Sequence, residues 1–136
     1  MITAVDTNII LDVLIPGEPF GDSSKALLNA HLAKGKLILC EVVVAELAAR
    51  FSSESELTSF LADTRMSLVH SSDKSLCLAG SKWAEYARKN AKSRFSCVQC
   101  GHVFEPECPK CRTALTRRLH VLADFLIGAH ALVQAD

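Results

Sequence analysis

The amino-acid sequence predicts an α/β fold with a parallel sheet covered on both faces. Three observations carry that expectation. Short apolar runs of strand type, at residues 2–5, 37–40 and 68–70, alternate with segments of helical composition, the order of strand–helix–strand units. The second run, LILC, is continuously apolar, and the first, ITAV, is interrupted only by Thr3, as strands buried on both faces read. A chain of 136 residues with 49% apolar content suffices for one domain with a substantial core and is short for two.

The elements follow in order. Residues 2–5 open as a strand that ends abruptly in Asp6, Thr7 and Asn8. Thr7 or Asn8 is expected to cap a short helix over residues 9–14, which Pro16 and Gly17 stop. After a loop over 17–21, Asp22 or Ser23 caps a helix to about residue 33. Its inner side should carry Ala26, Leu27, Ala30 and Leu32, and Gly35 should end it. Residues 37–40 give the second strand. Residues 42–51 begin β-branched but continue Glu46, Leu47, Ala48, Ala49, Arg50, which favours helix. A serine-rich break precedes a helix over 56–64. Residues 68–70 give the third strand, and Asp73 caps a long helix over 74–92. A cysteine-bearing segment and a basic link at 116–119 lead to a nearly all-apolar helix over 120–135.

Composition excludes several classes. No apolar run approaches the roughly 20 residues that span a bilayer, and the N-terminus lacks a basic leader region, so a cytoplasmic protein without a membrane span is expected. Cys40 and Cys77 stand in apolar surroundings as buried small side chains, with no secreted disulfide framework. Zero net charge hides a division. Over residues 82–120, Lys82, Arg88, Lys89, Lys92, Arg94, Lys110, Arg112, Arg117 and Arg118 face only Glu85, Glu105 and Glu107. That excess fits either a surface for a polyanion or a solvated charged face.

Three acidic residues stand out. Asp6 sits at the C-terminal tip of a strand, where open α/β sheets place ligands, although an aspartate there also serves as a turn or cap. Asp124 is the only acidic residue between Cys108 and Gln134, near the start of an apolar helix. A bare buried carboxylate costs on the order of several kcal/mol, so Asp124 is expected to be neutral, paired with Arg117 or Arg118, or bound to metal. Glu46 follows the second strand, and taken alone it reads as a solvent-facing helix residue. Asp12, two helical turns beyond Asp6, reads as a surface or dimer-side residue. His120 and His130 read as packed helix residues.

Cys97, Cys100, Cys108 and Cys111 form two C-x-x-C pairs with seven residues between them. Gly101 follows the first pair, where a tight knuckle turn needs it. Two such knuckles suit a closed, structural Zn2+ site, with a redox dithiol or an iron–sulfur cluster as lesser alternatives. His102 reads as surface or second to the four thiolates. The segment 95–113 therefore predicts a zinc ribbon. Lys92, Arg94, Arg112, Arg117 and Arg118 flank or belong to it as candidate RNA contacts, and Phe95 and Phe104 are available to stack on bases; a structural clip or a protein-docking surface is an equal alternative.

Three stretches, AVDTNIILDVL (residues 4–14), EVVVAELAAR (41–50) and ADFLIGAHAL (123–132), occur in an order and at spacings that resemble the PIN-domain nucleases, and more narrowly the VapC-type toxins. The resemblance implies an RNase H-like three-layer sandwich formed by residues 1–136 as a single PIN-like domain, with the ribbon inserted in it. It implies that Asp6, Glu46 and Asp124 are the catalytic acids, that Asp6 and Asp124 ligate Mg2+ or Mn2+, and that Thr7 and Asn8 support them. It also implies an RNA substrate, an antitoxin partner and a homodimer. Relatives continue past the final helix into another strand and a further acidic residue, so the sheet is expected to lack its last strands. Endoribonuclease action as a toxin is the leading expectation. A non-catalytic zinc-ribbon RNA adapter and an RNA-maturation nuclease are the alternatives.

Overall fold

A computed structural model of the chain describes residues 1–89, 95–115 and 122–136. The element order is β1 (Ile2–Ala4), α1 (Thr7–Leu14), α2 (Gly21–Leu32), β2 (Lys36–Leu39), α3 (Glu41–Ala48), α4 (Glu54–Asp63), β3 (Met66–Leu68), α5 (Asp73–Lys89), β4 (Phe95–Ser96), β5 (Val103–Phe104) and α6 (Leu122–Gln134). The strands β1, β2 and β3 form a parallel sheet in that order, with Thr3 opposite Leu37 and Ile38 opposite Ser67. The α/β class and the parallel sheet are those the sequence predicts.

The central strand shows why. Leu37, Ile38 and Leu39 are all buried, although successive side chains of a strand point to opposite faces. Both faces of β2 are therefore covered. Leu37 and Leu39 join Val5, Ile10, Val43, Leu47, Leu57 and Met66 in the main core, whereas Ile38 is buried outside that cluster. The helix α6 packs along α5 and against β1 and α3, so the last helix bridges elements distant in sequence.

Local details depart from the sequence expectations. Asp6, not Thr7 or Asn8, occupies the cap position of α1, and Thr7 is already helical and buried. Phe20 precedes α2, with Asp22 and Ser23 inside its first turn. The inner face of α2 is Ser24, Leu28, His31 and Leu32. Ala26, Leu27 and Ala30 are exposed, because α2 packs on α1 and β2 through its other side. Ser72 rather than Asp73 caps α5: its hydroxyl accepts the Ser75 amide at 3.3 Å. The strand β3 starts two residues early, directly after Arg65 in a left-handed conformation. Cys40 is buried as expected, but Cys77 is exposed, since the buried face of α5 is that of Ser75 and Ala79.

Among the described residues no strand pairs with the outer edge of β1. Asp136 meets it instead: its amide donates to the Ile2 carbonyl at 3.0 Å, and its carboxylate accepts the Ile2 amide at 2.8 Å. At the N-terminal end of β2 the Met1 carbonyl accepts the Lys36 amide at 3.0 Å. This brings Met1 so close over Gly35 that a Cβ there would collide with the same carbonyl.

Candidate active site

The parallel strands deliver β1 and β2 to one end of the sheet, and each chain turns there into a helix. Asp6 stands at the end of β1 with extended backbone, φ −84° and ψ 152°. It holds the cap position by backbone alone, without a side-chain capping hydrogen bond. The carboxylate is therefore free for other work, which separates Asp6 from an ordinary capping aspartate.

Glu46 lies on α3, which Val43 and Leu47 anchor with no measurable exposure. Glu46 itself is exposed, but it is not simply turned to solvent, since its carboxylate accepts a hydrogen bond from the Thr7 hydroxyl. Thr7 is 6% exposed, so that bond ties the start of α1 to α3 from the protein side. Asp124 is in the first turn of α6 and is exposed, not buried as its apolar neighbours suggested. Exposure removes the desolvation cost that the buried reading required. Arg117 and Arg118, the proposed ion-pair partners, lie outside the described residues. Among the described residues no cation is within ion-pair distance of Asp124.

Asp6, Glu46 and Asp124 line one cleft of about 630 Å³, together with Thr7, Asn8, Leu11, Ala49, Arg50 and Ile127. Elements more than a hundred residues apart in sequence thus present three carboxylates to one space. Asp12 does not join them. It accepts the Ser24 hydroxyl at 2.6 Å and clips α1 to α2. Arg50 was not singled out from the sequence as a cleft residue. The available signal was its position four residues after Glu46, on the same face of the helix that the sequence predicts over 42–51.

A polar tie behind the cleft braces the helices that carry two of these acids. Ser71, after β3, donates its hydroxyl to Glu41 of α3 at 2.9 Å and lies 3.2 Å from Nδ1 of His130 on α6. A serine has one hydroxyl proton, and Glu41 takes it, so His130 Nδ1 must donate. This leaves His130 Nε2 buried with no partner among the described residues. Burial opposes ionisation of Glu41, but its own amide, the Ser71 amide and hydroxyl, and His70 together outweigh it and hold the pKa at about 2. Burial pushes the His130 imidazole below its ordinary value, with Glu41 acting in the other direction. His130 is thus the packed histidine expected from the sequence.

The carboxylate set can be tested against a hard divalent cation. Among the described residues no three His, Cys, Asp or Glu side chains are drawn tightly enough around one point to enclose an ion. Mg2+ does not need such a cage, because it keeps most of its waters and takes one or two carboxylates. Asp6 and Asp124, exposed on one cleft, fit that requirement.

The cysteines are arranged as two similar knuckles. In the first, the Gly101 amide donates to the Cys97 carbonyl at 2.8 Å and the Cys97 amide to the His102 carbonyl at 2.9 Å. In the second, the Arg112 amide donates to the Cys108 carbonyl at 2.8 Å and the Cys108 amide to the Thr113 carbonyl at 2.9 Å. Gly101 and Arg112 occupy equivalent places with φ of 72° and 60°. Hydrogen bonds from the Cys100 amide, the Gln99 amide and the Cys100 thiol hold the Cys97 thiol below its ordinary pKa. The Thr113 hydroxyl and amide, with Cys108, bring Cys111 down to about 7. Among the described residues no three of these sulfurs stand close enough together to enclose an ion. Each knuckle is set by local backbone bonds, whereas bringing the two together is long-range.

Phe95 and Phe104 face each other across β4 and β5 with centroids 6.0 Å apart. Of the expected RNA contacts, Arg112 belongs to the second knuckle. Lys92, Arg94, Arg117 and Arg118, with His120, lie outside the described residues. No helix among the described residues is long and apolar enough to cross a membrane.

Comparison with known proteins returns one family model, described as PIN domain, matching residues 3–135. No curated protein and no solved structure matches the chain.

Proposed function

The chain belongs to the PIN-domain family, and on that premise we propose that it is a metal-dependent endoribonuclease whose active centre is the cleft of Asp6, Glu46 and Asp124. PIN domains are generally nucleases that use Mg2+ or Mn2+ and act on RNA. The observation that carries the reading for this chain is the convergence of those three carboxylates on one cleft. Asp6 and Asp124 would hold the ion, and Thr7 would orient Glu46 through its hydroxyl. Asn8 would border the reacting phosphate. When bound, a divalent cation there makes water nucleophilic near neutral pH and offsets charge on the scissile phosphate.

The narrower elements of the proposal rest on the sequence. The three PIN-like stretches resemble VapC-type toxins, which supports a toxin restrained by an antitoxin and acting as a homodimer. The twin knuckles support a structural Zn2+ on Cys97, Cys100, Cys108 and Cys111 that draws the two turns together when it binds. Lys92, Arg94, Arg112, Arg117 and Arg118 would then carry RNA past the ribbon.

The test is cleavage of single-stranded RNA with Mg2+ or Mn2+ by the native chain and by Asp6→Ala and Asp124→Ala. Cleavage that stops in both variants supports the proposal, and cleavage that survives either one refutes it. Salt-sensitive RNA binding without cleavage, indifferent to Asp6→Ala, would favour the ribbon adapter instead.

A further inference from the structure

The cleft holds one group that the nuclease reading leaves unused. Arg50 lies just beyond α3, where its amide donates to the Leu47 carbonyl at 2.8 Å. The fully buried Leu47 therefore fixes the backbone from which the Arg50 side chain reaches the cleft. Glu46 and Arg50 stand four residues apart, the spacing at which a glutamate and an arginine pair along a helix. Here the Glu46 carboxylate takes the Thr7 hydroxyl instead. Among the described residues no carboxylate lies within ion-pair distance of Arg50.

Among the described residues the cleft is lined by three carboxylates and one guanidinium, and by no other charged group. One divalent cation offsets the formal excess, which leaves a cleft without net attraction for a polyanion. Among the described lining residues Arg50 alone carries positive charge. A guanidinium keeps that charge at every physiological pH and presents paired N–H donors that match phosphate oxygens.

We propose that Arg50 binds the non-bridging oxygens of an RNA phosphodiester at the acidic cleft. This deepens the nuclease reading and rests on it. Removing Arg50 takes a cation away from three carboxylates, so the ion site becomes more negative and binds metal at least as well. RNA binding moves in the opposite sense. A distorted cleft would weaken both.

The experiment compares the native chain with Arg50→Ala and Arg50→Lys. Mn2+ affinity is read by electron paramagnetic resonance titration without RNA. RNA affinity is read by fluorescence anisotropy of a labelled single-stranded oligoribonucleotide, with Ca2+ in place of Mg2+ to slow turnover. Arg50→Ala is expected to weaken RNA binding about tenfold or more, as loss of a charge-assisted phosphate contact does. Its salt slope should fall by about one, and Mn2+ affinity should be unchanged or raised. Arg50→Lys should recover part of the RNA affinity. Native-like RNA affinity in Arg50→Ala overturns the proposal, as does parallel loss of Mn2+ and RNA binding. A native chain that binds RNA without cutting it refutes the nuclease reading, while the Arg50 comparison still decides this one. A native chain that binds no RNA overturns both.

Discussion

At the scale of single residues, Asp6 and Thr7 divide labour that the sequence left undivided. Either looked able to cap α1, but Asp6 supplies only the cap backbone, and Thr7 spends its hydroxyl on Glu46. Thr7→Val should therefore act on the site more than on the fold. Loss of a hydrogen bond to a charged group that water can still reach costs about 1 kcal/mol of stability. With Glu46 freed of it, RNA cleavage is expected to fall by about tenfold or more, the range for loss of a partner that orients a carboxylate beside a metal site. Asp124→Asn should lose at least about a hundredfold, since an amide keeps the shape but removes the charge that holds the cation. Urea midpoints measured beside cleavage rates separate the two variants. A Thr7→Val protein cutting RNA at the native rate would count against the support role.

At the scale of elements, α3 and α6 are held in place by the Glu41–Ser71–His130 tie, and that tie depends on pH. The Glu41 carboxyl has its pKa lowered from 4.5 to about 2. Its contribution to stability is full above pH 4.5 and is lost as pH falls toward 2. His130 is also lowered, from 6.5, so the unfolded chain takes up its proton first, and stability declines as pH drops below 6.5. The urea midpoint is thus expected to fall in two limbs on acidification. His130→Asn should flatten the upper limb and leave the lower one. A single limb confined below pH 4.5 in the native chain would contradict the His130 part. The turn into β2 makes a different demand. Gly35→Ala would drive a Cβ into the Met1 carbonyl, a backbone atom with little room to yield. It should cost about 1–3 kcal/mol, read as a lower urea midpoint at an unchanged slope. A midpoint equal to native would show that the first residues can shift without penalty.

At the scale of the whole molecule, the α/β core and the cysteine hairpin have different sources of order. The core closes on buried apolar side chains, whereas the described hairpin leaves Val98, Val103 and Phe104 exposed and contributes no residue to the core. We expect one Zn2+ per chain by elemental analysis. A chelator should broaden the amide signals of residues 95–115 while those of β1, β2 and β3 stay in place. Absence of bound metal after refolding in Zn2+, or loss of the whole fold on chelation, would refute the separate-module view. The sequence alone determined the fold class, because burial on both faces of a strand leaves a continuous apolar run, and helices betray themselves by local propensity. It also determined the cysteine knuckles, whose turns are closed by bonds a few residues long. The face of α2, the exposure of Asp124 and Cys77, and the presence of Arg50 in the cleft were decided only by tertiary structure. Each depends on which side of an element meets a partner distant along the chain, and no local pattern encodes that rotation when apolar residues surround the helix on more than one side. The acidic trio lies between these cases. The residues could be named in advance, but only the crossing of α6 over β1 and α3 brings them to one cleft.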